Sequence, residues 1–192
     1  MKTTRLEAFS DGVIAILITI MVLDLKIPHE PTWNALGTQL PIFLSYALSF
    51  VFLGIYWNNH HHMFHLVDRV SGAILWANLH LLFWLSLIPF TTGWMGENHF
   101  GPLPVAIYGC VLLAAALSYT ILQLTIVRHP NAGSRLAAAL GSDAKGKLSI
   151  MAYVVAIPSA FINPWIAEAL YVAVAAMWLI PDRRIEATLR EG

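Results

Sequence analysis

Apolar positions along the chain fall into six long runs, at roughly 5–25, 38–63, 70–92, 103–127, 148–162 and 165–180, separated by polar or Gly/Pro-rich connections. A helix that spans a membrane needs about 20 predominantly apolar residues. The pattern therefore predicts an all-α membrane protein, with six transmembrane helices in a single domain over 1–192 and no room for a separate soluble domain. The connection 26–37 carries Pro28 and Pro31, and 93–104 is a Gly/Pro loop. The longest polar connection is 128–147, and its middle, 135–140, predicts a short amphipathic helix at the interface. The tail 181–192 is polar. Pro89, Pro158 and Pro164 predict kinks or helix ends.

The first run, RLEAFSDGVIAILITIMVLDL, carries Arg5, Glu7, Ser10 and Asp11 in its opening turns, and from Val13 to Leu23 only Thr19 interrupts the hydrocarbon. At about 100° per residue, Arg5, Phe9, Gly12, Ile16, Thr19, Ile20 and Leu23 fall on one stripe, and Ser10 and Asp11 point to roughly the opposite side. A carboxylate at bilayer depth costs about 2.5–3.5 kcal/mol on insertion scales. Asp11 therefore needs a partner from a neighbouring helix. Periodicity leaves two readings of the stripe open: an ordinary packed membrane helix, or the lining of a pore whose polar pair fastens the helix to its neighbours.

Charge settles orientation. With six helices, Lys2, Arg5, Arg69, Arg128, Arg135, Lys145, Lys147, Arg183, Arg184 and Arg190 share one side, and of the 11 basic residues only Lys26 lies on the other. The positive-inside rule then places both termini in the cytoplasm of a multi-pass protein of the cell (inner) membrane. Only 11% of residues are charged, against about 25% in soluble domains. Net charge is zero, so nucleic acid is not an expected partner. The first run is expected to be retained, because acidic residues precede it and Asp24-Leu25-Lys26 follows it where a signal peptide carries small residues. Cys110, the single cysteine, reads as packing.

On this topology Ser10, Asp11, the histidines at the end of the second helix and Asn78 on the third share one layer. His61 and His65 have the i, i+4 spacing of a metal pair, but there is no HExxH and no acidic residue inside the run. No metal or cofactor is expected. Hydrogen bonding between helices is the favoured role for these histidines, with proton sensing as an alternative. Trp57, Trp76 and Trp84 lie deep enough to offer indole donors to the layer. Paired hydrolytic carboxylates, a nucleophile elbow and a Walker loop are absent, so the chain does not read as an enzyme. A proton-coupled carrier using Asp11 and the layer of His60, His61 and His62 remains the alternative to a channel.

The sequence Arg5…Phe9-Ser10-Asp11-Gly12-Val13-Ile14-Ala15-Ile16…Thr19 resembles the signature of the endolysosomal potassium channel family, transmembrane protein 175, and its prokaryotic homologues. The histidine-rich end of the second helix and the third helix from Trp76 to Pro89 are similar as well. The resemblance implies a potassium-preferring cation channel without a TVGYG filter, and no such run occurs here. It implies a homotetramer whose first helices surround the axis, with potassium and other monovalent cations as permeant partners and the lipid bilayer as its medium. The hydrophobic constriction then falls on Ile16, the residue linked to potassium preference on Thr19, and a further apolar ring on Leu23, with Gly12 and Ile20 on the same lining. Arg5, Phe9, Ser10, Asp11, Trp57, His60, His61 and Asn78 form the implied inter-helix network.

Overall fold

The computed structural model describes residues 3–65, 67, 70–128 and 143–179. The amphipathic helix expected at 135–140 and the tail 181–192 lie outside the described residues. The described residues are mostly helical, and no strand occurs among them. Helix α1 (Thr3–Met21) runs into a 3-10 turn (Val22–Asp24), and the short α2 (Trp33–Gly37) precedes α3 (Leu40–His65). Then follow α4 (Gly72–Ser86), α5 (Ile88–Glu97), α6 (Pro102–Val127), α7 (Ala144–Ser159) and α8 (Pro164–Leu179).

Four stretches, Thr3–Asp24, Leu40–His65, Gly72–Glu97 and Pro102–Val127, are long and apolar enough to cross a membrane. Helices α7 and α8, of 16 residues each, extend only about 24 Å, against a hydrocarbon core of about 30 Å.

Helix α6 is the hub: it packs on α4, α5, α7 and α8, and its side chains from Val105 to Ile126 fill the core. Helix α1 lies against α3, α4 and α5. Buried hydroxyls stitch the centre together. Ser49 Oγ is 2.6 Å from Thr92 Oγ1 and 2.9 Å from Tyr108 Oη, which joins α3, α5 and α6. The Tyr171 hydroxyl donates to the Val105 carbonyl at 3.1 Å, fixing α8 on α6.

Two helix boundaries depart from the hydropathy pattern. The third run does not end at Thr92. It breaks at Leu87, with Pro89 in the first turn of α5, where a missing amide costs nothing. It then stays helical to Glu97, through residues expected to form a loop. Gly93 and Gly96 weaken a helix in isolation, but here they permit close contact. A Cβ on Gly96 would lie 2.8 Å from Ile42 Cα, and one on Gly93 would lie 3.1 Å from an Asp24 carboxylate oxygen. Packing overrides propensity. Helix α7 likewise starts at Ala144, earlier than the apolar run at 148, because Asp143 caps it by accepting the Gly146 amide at 3.3 Å.

Gly96→Ala is therefore expected to destabilise the fold by about 1–3 kcal/mol through overpacking against α3. Gly72, with no atom within 4 Å of an added Cβ, should accept alanine without loss. Thermal melts of the two detergent-solubilised variants would check the contrast.

Candidate conduction site

Helix α1 has two faces. Leu6, Ser10, Ile14, Leu17 and Met21 are buried against the bundle. All of Arg5, Phe9, Gly12, Ile16, Thr19, Ile20 and Leu23, the stripe expected from periodicity, are exposed. Ile16 keeps 57% of its surface open and Leu23 78%. The Thr19 hydroxyl donates to the Ile16 carbonyl at 2.9 Å. Its proton is thus spent within the helix, and its oxygen lone pairs remain toward the open side.

The buried face is fixed by a chain of hydrogen bonds across three helices. Asn78 Nδ2 on α4 donates to Ser10 Oγ at 2.9 Å, and the Ser10 hydroxyl donates to the Leu6 carbonyl at 3.0 Å. On its other side Asn78 Oδ1 lies 2.8 Å from His60 Nε2 on α3. An amide oxygen only accepts, so His60 Nε2 carries the proton in this arrangement. Ser10, Asn78 and His60 are all inaccessible to solvent or nearly so. The Phe64 ring, 4.5 Å from the His60 ring between centroids, packs beside it.

A second cluster lies nearer the end of α3. His61 Nδ1 is 2.7 Å from Glu7 Oε1, and the His61 ring is stacked at 6.3 Å from Trp57 and 6.2 Å from His65. Glu7 stands among the polar residues of the opening turns but outside the network expected from the sequence. Its position one turn before Ser10 and Asp11 was the available signal. Trp57 joins this cluster by stacking, with no indole hydrogen bond among the described residues. The Trp84 indole donates instead to His80 Nε2 at 3.1 Å, away from the layer, and Trp76 is exposed.

The structure thus brings together Ser10, His60 and Asn78, and separately His61 and Trp57. It leaves Arg5, Phe9 and Asp11 outside both groups. Arg5 and Phe9 are exposed. Asp11 is half-buried, and its Oδ1 is sealed from solvent without a hydrogen-bond partner among the described residues. Among the described residues no group of three or more His, Cys, Asp or Glu is placed to hold a metal ion. At the far end of the stripe, Lys26 and the α5 residue Glu97 form an exposed ion pair at 2.7 Å.

Comparison with known proteins places this arrangement. The family model described as "Endosomal/lysosomal potassium channel TMEM175" matches residues 5–89, the stretch that holds the exposed stripe and both clusters. A potassium channel of Chryseobacterium sp. (strain P1-3) is 54% identical over 192 residues, covering 100% of both chains. One from Streptomyces collinus is 37% identical over 135 residues, 66% of each chain. The endosomal/lysosomal proton channel TMEM175 of Gallus gallus is 33% identical over 97 residues, 44% of this chain and 19% of that protein. The crystal structure of a lysosomal potassium-selective channel TMEM175 homolog from Chamaesiphon minutus superposes with a TM-score of 0.79 at 27% identity, covering 93% of this chain and 96% of that one. These relatives are channels and not enzymes, and the chain belongs to the TMEM175 family as a prokaryotic member.

Proposed function

We propose that this chain is the subunit of a potassium-preferring cation channel, a homotetramer in which the α1 helices line the pore and α7 and α8 complete six membrane passes. The observation that carries this reading is the division of α1: one face is locked into the bundle, and the other offers a bare ladder of Ile16, Ile20 and Leu23 with one outward oxygen, that of Thr19. Relatives named as potassium channels match the chain over most or all of its length. With the basic residues counted as above, both termini lie in the cytoplasm and the channel sits in the cell membrane.

In this reading Ile16 forms the narrowest ring. A ring of aliphatic side chains passes an ion only when it is wide enough to hold water or a mostly dehydrated cation, and otherwise closes by dewetting. Potassium sheds its water more cheaply than sodium, so the ring favours it without a TVGYG filter, and the Thr19 oxygen supplies a ligand in partial replacement of water. The bonds from Asn78 to Ser10 and His60 hold α1 at the rotation that aims Ile16 at the axis. Arg5 and Asp11, without a hydrogen-bond partner among the described residues of one copy, find theirs across the contacts between copies.

The first test is the reversal potential of the purified protein in a bilayer with potassium on one side and sodium on the other. Displacement toward potassium, with current that does not saturate, supports the channel. Absence of current, together with saturable uptake that follows an imposed pH gradient and is lost in Asp11→Asn, would replace it with a proton-coupled carrier.

Ile16→Asn should raise the current severalfold by wetting the ring, and an unchanged current from an intact tetramer would count heavily against this assignment. Thr19→Val should move the reversal potential toward that of a channel indifferent to potassium and sodium, with the tetramer intact. Asn78→Leu leaves the buried His60 Nε2 without its partner, at about 1–3 kcal/mol for the unsatisfied group, and removes the bond that ties α4 to Ser10, whose own hydroxyl still donates to Leu6. It should therefore lower the melting temperature and the tetramer yield far more than a substitution on the exposed stripe, as read by size-exclusion chromatography and thermal melts.

A further inference from the structure

Helices α7 and α8 are joined by a tight turn between Ser159 and Pro164, and the surface of that turn is apolar. Phe161, Ile162 and Trp165 are exposed there, Ile162 with 83% of its surface open. Across 148–167 the chain carries no Asp, Glu, Lys, Arg or His. The two connections on the same side of a six-pass chain do carry them: Lys26, His29 and Glu30 in one, Glu97 and His99 in the other. We propose that the α7–α8 turn is a lipid-binding surface, seated at the hydrocarbon–headgroup boundary of the outer leaflet and not in open water.

The backbone is built for that level. An amide without a partner is costly where water is scarce, and none is left in this turn. The amide of Ala160 donates to the Ala156 carbonyl, Phe161 to Pro158, Ile162 and Asn163 both to Ser159, and Ile166 to Asn163, at 2.8–3.2 Å. The Trp165 amide donates to Asn163 Oδ1 at 3.0 Å, and Pro164 has no amide to satisfy. Two neutral donors remain, the Asn163 side-chain nitrogen and the Trp165 indole, neither with an acceptor among the described residues. The ester oxygens of a glycerophospholipid are acceptors of the matching kind, and tryptophan is enriched at that level of a bilayer.

Length and position agree. Lys145 and Lys147 lie in the first turn of α7 and keep that end at the cytoplasmic headgroups. The 16 residues of the helix then rise about 24 Å, which stops short of the far edge of a hydrocarbon core of about 30 Å. The Trp165 ring, 5.4 Å from that of Phe100 between centroids, holds the turn beside the outer end of α6. A second copy of the chain is the other candidate cover, and topology disfavours it. Helix α1 packs on α3, α4 and α5, whereas α7 and α8 pack on α6 and on each other, with α8 also touching α3. Copies closed around α1 therefore carry α7 and α8 at their rim. Exposed Met151, Val155 and Val172 continue the apolar surface of the turn along both helices. The inference rests on the six-pass reading above.

The test is nitroxide labelling of the full-length protein in liposomes, in a Cys110→Ser background. Single cysteines replace Ile162 and, as a second site in the turn, Phe161. Val155→Cys on α7 serves as the lipid-facing reference and His29→Cys, in an exposed connection, as the aqueous one. Power saturation reads collisions with oxygen, which concentrates in hydrocarbon, and with a nickel chelate, which stays in water. Labels at 161 and 162 should favour oxygen over nickel severalfold more than the label at 29, and should fall near the one at 155. Nickel access equal to that at 29 would overturn the proposal. So would protection from both reagents, because the cover would then be protein. A label at 155 that is open to nickel would refute the six-pass reading and this inference with it, which distinguishes that failure from a failure at the turn alone.

Discussion

A polar group inside a bilayer has no water to fall back on, and the arrangement of this chain follows from that constraint. Asn78 is the pivot. Its amide reaches Ser10 on α1 with one end and His60 on α3 with the other, so three helices share one set of donors and acceptors, in which only His60 Nδ1 lacks a partner among the described residues. Hydrocarbon packing alone would let α1 rotate at little cost, because lipid tails are as apolar as leucine. The hydrogen bonds remove that freedom. They make the orientation of the bare stripe a consequence of buried chemistry on the opposite face.

The same logic recurs at the centre of the bundle. Ser49, Thr92 and Tyr108 join α3, α5 and α6, and this close stacking is what keeps α5 helical through Gly93 and Gly96. Small residues let backbones approach and hydroxyls complete the contact, the usual means of packing helices in lipid. The break at Leu87 allows the third stretch to follow two different partners, α6 along α4 and α3 along α5.

Much of this was legible in the sequence. The 3.6-residue period placed Ile16, Thr19 and Leu23 on one side of α1 and Ser10 on the other, because a helix in lipid has few other ways to arrange a lone polar pair. The shared depth of Ser10, His60 and Asn78 followed from counting residues inward from the charged ends. What hydropathy could not report was contact. The helical continuation from Gly93 to Glu97 depends on a neighbouring backbone, the early start of α7 on a cap, and the pairing of His61 with Glu7 on the angle between two helices. Asp11 needed a partner on electrostatic grounds, yet Ser10 beside it took the available amide.

The internal bond of Thr19 has one more consequence. Because its proton is committed to the Ile16 carbonyl, the hydroxyl turns only lone pairs toward the open face, and Gly12, Ile16, Ile20 and Leu23 beside it have no side-chain group to donate; Arg5, at the start of the stripe, is the exception. A halide requires donors. Beyond Arg5, along the lining proposed for the pore, it would meet an acceptor and hydrocarbon, so under that proposal the direction of a single hydroxyl would disfavour anions without a ring of fixed negative charge.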